Sequence, residues 1–264
     1  MTSLRDVLAA RPKTRVIAAP GVYDMVSLRM AASMGFEALY MTGYGTVASH
    51  LGLPDAGLAS YSDMVGRVEA MARMAGAPLI ADGDTGYGGL LNVRHAVQGY
   101  ERAGAAAIQL EDQEFPKKCG HTQGRRVIAA EDMARKIRVA AEARTSADFL
   151  IVARTDARTS LGLAEAIRRG RLYAEAGADI LFVESPETEE EMATIGRELG
   201  DKPLLANMVE GGRTPMLSNA RLAEIGYAIA IYPVAGLLSA AAALATVYRQ
   251  IRETGSSLGS AAPL

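Results

Sequence analysis

Among 264 residues there is one cysteine and there are only three histidines. A single thiol cannot form an internal disulfide, so a reducing compartment is expected, with the cytoplasm as the default. No His/Cys cluster has the spacing of a zinc site. Neither sign of charge dominates: 28 basic against 30 acidic side chains leave a formal charge of -2 and a pI near 6.0. That balance offers no basic field to grip nucleic acid or anionic lipid, and it points to a small-molecule partner. Long apolar runs are missing too. The most apolar stretch, VAGLLSAAAALATV (234–247), is shorter than the roughly 20 residues a bilayer span needs, and reads as a tightly packed helix at a subunit contact. The opening MTSLRDVLAARPKTR has an acid in its middle and no apolar core, so a first helix is expected there rather than a secretory signal. No GxGxxG turn, linker or low-complexity block is present, which favours one domain over residues 1–264.

What the sequence does have is a repeat of short apolar runs separated by longer amphipathic ones. With 49% hydrophobic and 22% charged residues it can bury a large core. Strands are expected at RVIAA, EALYMT, PLIAD, AAIQLE, FLIVAR, ILFVE, PLLANM and YAIAIYP, with helical spacing between them in segments such as YSDMVGRVEAMARMA and AEDMARKIRVAAEAR. Eight β/α repeats of this size predict the α/β class and a (β/α)8 TIM barrel. Polar residues then fall at strand ends: Thr42, Asp82, Glu111, Arg154, Glu184, Asn207 and Tyr232. In a barrel those ends share one face, so these side chains are expected to converge.

Three stretches carry the chemistry. In LIADGDTGYGG, Asp82 and Asp84 lie two apart beside glycines, an arrangement that builds either a turn or an oxygen-rich site for Mg2+ or Mn2+. Glu111 in QLEDQ and Asp55 in LGLPDAG add acids that would hold the waters of a hydrated ion. In KKCGH, Cys119 is either a small buried hydrophobe or a thiol tuned by Lys117, Lys118 and His121 into a proton donor; a nucleophilic Cys–His pair is the rival. In VARTDARTS, Arg154 suits a carboxylate clamp or a buried pair with Asp156. Glu184 and Asn207 read singly as structural, and His50 and His95 as surface or core residues.

Taken together and in this order, LGLPD, ADGDTGYG, LEDQ, KKCGH and ARTDA resemble the isocitrate lyase and phosphoenolpyruvate mutase superfamily, over about Pro20 to Gly255. The likeness is to its small lyases of the 2-methylisocitrate lyase, 2,3-dimethylmalate lyase and petal death protein type. The resemblance implies a (β/α)8 barrel, a Mg2+ site and a homotetramer that exchanges a C-terminal helix between subunits. It implies that Asp84 contacts the metal, while Asp82, Asp55 and Glu111 hold its waters. Thr42, Gly43 and Tyr44 match the backbone loop for the carboxylate of a 2-oxo acid. Cys119 matches the acid that protonates the departing fragment, with Gly120, His121, Arg154, Glu184 and Asn207 around its carboxylate, and Tyr40 matches a pocket tyrosine. Tyr44 in MTGYG resembles the dimethylmalate branch rather than the glycine-only form.

The implied reaction is metal-dependent cleavage of the C2–C3 bond of a 2-hydroxy dicarboxylate, of 2-alkylmalate or methylisocitrate type, to pyruvate and a carboxylate. Arg154, His121 and Asn207 would face the charge that develops on the leaving fragment. Tyr40 or a metal-held water would take the hydroxyl proton. Two alternatives stand beside it: an oxaloacetate hydrolase or decarboxylase on the same scaffold, and a non-catalytic protein that binds a 2-oxo acid.

Overall fold

The computed structural model of the chain describes residues 2–260 apart from 121 and 123. Its first half runs α1 (Leu4–Ala10), β1 (Ile17–Val22), α2 (Met25–Ser33), β2 (Leu39–Met41), α3 (Gly43–Leu51), α4 (Tyr61–Ala72), β3 (Leu79–Asp82), α5 (Leu90–Arg102) and β4 (Ala107–Glu111). The second half continues α6 (Ala130–Ala143), β5 (Leu150–Thr155), α7 (Ala157–Leu161), α8 (Leu163–Glu175), β6 (Ile180–Val183), α9 (Glu189–Leu199), β7 (Leu204–Asn207), α10 (Asn219–Glu224), β8 (Ile229–Tyr232) and α11 (Ala235–Thr254). The strands are parallel, pair in chain order, and close into a barrel where β1 meets β8 with Ile17 opposite Ile229. The fold is the (β/α)8 barrel that the repeat pattern predicts.

Local chemistry explains where the helices start. Asp24 and Ser27 form a reciprocal capping box on α2, Ser60 and Asp63 do the same on α4, and Thr188 caps α9. In α6, Met133, Ile137 and Ala140 recur at helical spacing and are buried against the sheet. The strand β1 runs past the expected RVIAA through Pro20 to Val22; Pro20 pairs with Tyr232 and Gly21 with Tyr40.

Alternation along each strand sorts its residues into two cores. One face packs outward under the helices, as with Ile151, Ala153, Leu181 and Val183. The other fills the barrel with Ile17, Ala19, Tyr40, Ile80, Leu150, Val152, Ile180, Phe182, Leu205, Ile229 and Ile231, closed at one mouth by Leu4 of α1. Each fully buried aliphatic or Phe side chain contributes about 1.5–3 kcal/mol relative to exposure.

The last helix is not covered by its own chain. No residue of α11 is buried in the chain, and Leu238, Leu244, Tyr248 and Ile251 are exposed, so it is not tightly packed against its own barrel. Among the described residues, no helix is long and apolar enough to cross a membrane.

Candidate active site

The period of two that fills the barrel also builds the site. Continuing the inward rows one step toward the C-terminal strand ends places Asp82 after Ile80, Glu111 after Gln109, Arg154 after Val152, Glu184 after Phe182 and Asn207 after Leu205. These side chains form the top layer of the interior, and all five line one cavity of about 50 Å3. Tyr40, Thr42, Tyr44, Asp55, Lys117, Lys118, Cys119 and Gly120 complete its polar wall, with Val209, Ile231, Pro233 and Val234 on the apolar side. Tyr232 does not join them. It is one residue past Ile231, so it turns outward, and its hydroxyl donates to Asn219 Oδ1 at 2.7 Å. A larger cleft of about 300 Å3 opens at the other mouth, beside α1, where Glu101 accepts from the backbone N–H groups of Thr145 and Ser146.

The acids gather around one cation. Lys117 Nζ is paired with Asp55 Oδ1 and lies 2.7 Å from Asp84 Oδ1. Burial works against its charge, yet Asp84, Glu111, Asp55 and Asp82 outweigh that and hold the ammonium well above the usual lysine range. The lysine that the sequence placed beside the thiol therefore serves the carboxylates instead. Lys118 also borders the cavity, but its Nζ donates to the Gly124 carbonyl at 3.2 Å. Burial pushes Asp84 up to about 6 against the pull of Lys117, and it raises Glu111 despite Arg154. Asp84 itself lies just behind the cavity wall, in the left-handed region at φ 49°, with its N–H donating to Asp82 Oδ1 at 3.0 Å.

The donor set fits a hard divalent cation. Glu111 Oε1 is buried with no hydrogen-bond partner, and Asp55 Oδ1 and Asp84 Oδ1 are buried around the Lys117 ammonium, a position already built for positive charge; such oxygens serve Mg2+ or Mn2+ through one direct carboxylate and several waters. Among the described residues, no three His, Cys, Asp or Glu groups converge tightly enough to hold an ion by themselves.

The opposite wall is built on Arg154. Its Nε and Nη2 grip Asp156 at 2.8 and 2.9 Å, Nη1 lies 3.4 Å from Glu111, and Nη2 lies 3.3 Å from Glu184. The buried pair with Asp156 is present, and the same guanidinium lines the cavity. Asn207 Nδ2 donates to Glu184 Oε2 at 3.0 Å. Below, the Tyr40 hydroxyl donates to Gln109 Oε1 at 3.2 Å and reaches Asp82 Oδ2 at 3.5 Å; burial holds this phenol far above its ordinary range.

Thr42 and its neighbours do not form an open loop. Gly43 and Tyr44 are the first turn of α3, and Thr42 is its cap, accepting from Gly45 N–H at 3.3 Å. The free N–H groups of a helix start suit a carboxylate. A Cβ at Gly43 would lie 2.5 Å from Asp82 Oδ2, so only glycine lets this turn approach the acid so closely. Cys119 is half-buried at the cavity edge and Gly120 is buried beside it. His121 lies outside the described residues. His50 meets Arg67 at the surface and His95 packs on the Tyr61 ring, away from the cavity.

Sequence reading missed the support beneath this wall. Asp112, next to Glu111, has the opposite parity and points out of the barrel. There its carboxylate accepts from the Thr155 hydroxyl, the Asp156 N–H, Arg169 and the Tyr173 hydroxyl at 2.7–2.9 Å. Alternation within LEDQ is the signal that separates the two acids. Tyr100, fully buried on α5, donates to the Asp82 carbonyl at 3.0 Å and accepts from Tyr87 at 2.6 Å, tying down the aspartate turn.

An eight-stranded parallel barrel with an acid-rich, cation-braced pocket at its C-terminal strand ends belongs to the class of (β/α)8 barrels that carry a polar site on that face. Residues 4–252 match the phosphoenolpyruvate phosphomutase family, and the chain belongs to the PEP mutase/isocitrate lyase superfamily. It is 48% identical over 256 residues to a 2,3-dimethylmalate lyase of Eubacterium barkeri, covering 97% of this chain and 87% of that one. It is 45% identical to a 2-methylisocitrate lyase of Aeropyrum pernix, covering 96% and 80%. An oxaloacetate acetylhydrolase solved with 3,3-difluorooxalacetate superposes with a TM-score of 0.94 at 39% identity, covering 97% and 87%. A phosphonopyruvate hydrolase solved with oxalate and Mg2+ superposes at 0.87 and 31%, covering 100% and 92%.

Proposed function

We propose that this chain is a carbon–carbon lyase that cleaves a 2-alkylmalate-type 2-hydroxy dicarboxylate to pyruvate and a carboxylate, using Mg2+ or Mn2+. The observation that carries the reading is the pairing, in one small cavity, of metal-suited carboxylates on one wall with Arg154 and Cys119 on the other. Similarity to 2,3-dimethylmalate and 2-methylisocitrate lyases supports it. Asp84 would hold the ion directly, with Asp82, Asp55 and Glu111 orienting its waters; when bound, the ion supplies Lewis acidity to the substrate's hydroxyl and oxo oxygens.

The remaining steps belong to side chains. The start of α3, at Thr42, Gly43 and Tyr44, binds the carboxylate that becomes part of pyruvate. Arg154, with Asn207, Gly120 and His121, binds the second carboxylate, where negative charge develops as the bond breaks; Glu184 orients Arg154 and Asn207. Cys119 delivers its proton to the carbon of that fragment. Tyr40, kept neutral by burial, acts as a hydrogen-bond donor under the oxo group, which leaves a water held by Asp82, Asp55 and Glu111 to take the hydroxyl proton. Residues 1–264 act as one domain in the cytoplasm. The exposed apolar side of α11 supports exchange of this helix between the subunits of a homotetramer.

The test is pyruvate release from 2,3-dimethylmalate, 2-methylisocitrate, 2-ethyl-3-methylmalate, citramalate and oxaloacetate, with and without Mg2+. Metal-dependent pyruvate from an alkylmalate is expected. The structural likeness to oxaloacetate acetylhydrolase favours one second reading, hydrolysis of oxaloacetate. Oxalate from oxaloacetate with no pyruvate from any substrate would establish it and displace the lyase.

A further inference from the structure

The segment that carries Cys119 and Gly120 is followed by a second buried cation that the proposed chemistry does not use. The Arg125 side chain is fully buried, and its Nη1 is paired with Asp156 Oδ1. Its Nη2 donates to the Thr159 hydroxyl at 2.6 Å and to the Ser185 hydroxyl at 3.4 Å. Ser185, held at φ 59°, donates in turn to the Gly120 carbonyl at 3.0 Å. Asp156 Oδ1 is also the oxygen that Arg154 Nη2 grips. One carboxylate oxygen thus joins an arginine from the barrel wall to an arginine from the end of the Cys119 segment. The two parts touch directly as well: a Cβ on Gly120 would lie 2.5 Å from Arg154 Nη2 and 2.7 Å from Glu184 Oε2. Asp156 cannot drift, because its own N–H is fixed on the fully buried Asp112.

We propose that Asp156 and Arg125 are positioning residues that set Arg154 and the Cys119–Gly120 segment against each other. Asp156 clamps the Nε edge of Arg154, so that Nη1 is presented to the cavity. Through Arg125 and Ser185 the same carboxylate seats the thiol at a fixed distance from that guanidinium. A carboxylate held by Arg154 and a proton delivered by Cys119 then meet in register. The inference rests on the lyase reading where it assigns those roles, but its first readout does not depend on turnover.

That readout is the rate at which iodoacetamide alkylates Cys119 in the full-length, metal-free protein. Arg125→Met removes the ion pair and two hydrogen bonds, and is expected to speed alkylation about tenfold or more, the scale of one charged hydrogen bond lost. Arg125→Lys, which keeps the ion pair alone, should recover part of the protection. With the substrate that wild type cleaves, Arg125→Met should lower kcat far more than it raises KM, because Arg154 keeps its grip on Asp156. Asp156→Asn should raise KM as well. A merely structural role would lower Tm without that split. If Arg125→Met does not fold, Ser185→Ala, which removes the hydroxyl that ties Gly120 to Arg125 and Glu184 but keeps the Arg125–Asp156 ion pair, is expected to alkylate at least about threefold faster. Alkylation within about twofold of wild type in the folded variants would overturn the proposal. A wild type that releases no product would sink the lyase reading, and the alkylation contrast would still decide this one.

Discussion

Replacing Gly43 with alanine separates stability from metal binding. An ideal Cβ at this position lies 2.5 Å from Oδ2 and 3.0 Å from Cγ of Asp82. Non-bonded carbons sit at about 3.5–4.0 Å, so the carboxylate must retreat by roughly 0.5–1 Å. Overpacking of this kind costs about 1–3 kcal/mol. Alanine in the first turn of α3 returns about 0.5–1 kcal/mol over glycine. The net loss is about 0–2.5 kcal/mol, which for a chain of this size lowers Tm by at most about 10 °C. Asp82 cannot move alone, because its Oδ1 holds the Asp84 N–H and its Oδ2 lies above the Tyr40 hydroxyl. Displacing a group that orients a ligand typically weakens metal binding by about 10–100-fold. Calorimetry or electron paramagnetic resonance with Mn2+ measures the affinity, and thermal melting the stability. A variant that melts near wild type but binds Mn2+ within about threefold of it would refute the placement of Asp82 in the metal site.

Three further outcomes are expected. Cys119→Ser should lower turnover by roughly 10²–10⁴ while leaving oxalate binding intact, as removal of a proton donor does, and near wild-type turnover would remove the thiol from the mechanism. Asp112→Asn keeps the shape of a fully buried side chain but takes from Arg169 its buried counter-ion, leaving it only the more exposed Glu165. It should lower unfolding free energy by about 3–5 kcal/mol in urea titrations, and a loss under about 1 kcal/mol would show that the network contributes little. Glu165 is held down to about 2 by Arg168, with Arg169 adding to it against slight burial. A depressed folded-state pKa stabilises above the ordinary carboxylate range and is lost as pH falls through it. Glu165→Gln should therefore cost about 0.2–1 kcal/mol at pH 7, after solvent screening, and measurably less at pH 3; a gap that widened on acidification would contradict the assignment.

The barrel was legible because its signals are local. Alternation in FLIVART sets Leu150 and Val152 inside and carries Arg154 to the rim, and the same step delivers Asp82, Glu111, Glu184 and Asn207. Parity also explains the error at Tyr232, which follows the inward Ile231 and so faces away. The partners of Lys117 were not legible. In KKCGH the thiol is its neighbour in sequence, but Asp55 and Asp84 arrive from other turns of the chain, and only the closed fold brings them to its ammonium. Arg125 and Asp156 met for the same non-local reason. For α11, an alanine-rich run reads as close-packed whichever surface it packs on, and its own barrel turned out not to be that surface.

The seam between β1 and β8 has a consequence for how the pocket comes into being. Ile17 pairs with Ile229 from the far end of the chain, and the pocket draws side chains from β2, β3, β4, β5, β7 and β8 and from the segments after β2, β4, β6, β7 and β8. A fragment that stops short of the seam carries many of these side chains but not the closed ring that turns them toward one another. Long-range parallel pairings form slowly and late. On refolding, secondary structure should return before ligand binding does, and recovery of the pocket should report the last event of folding, the closure of the ring.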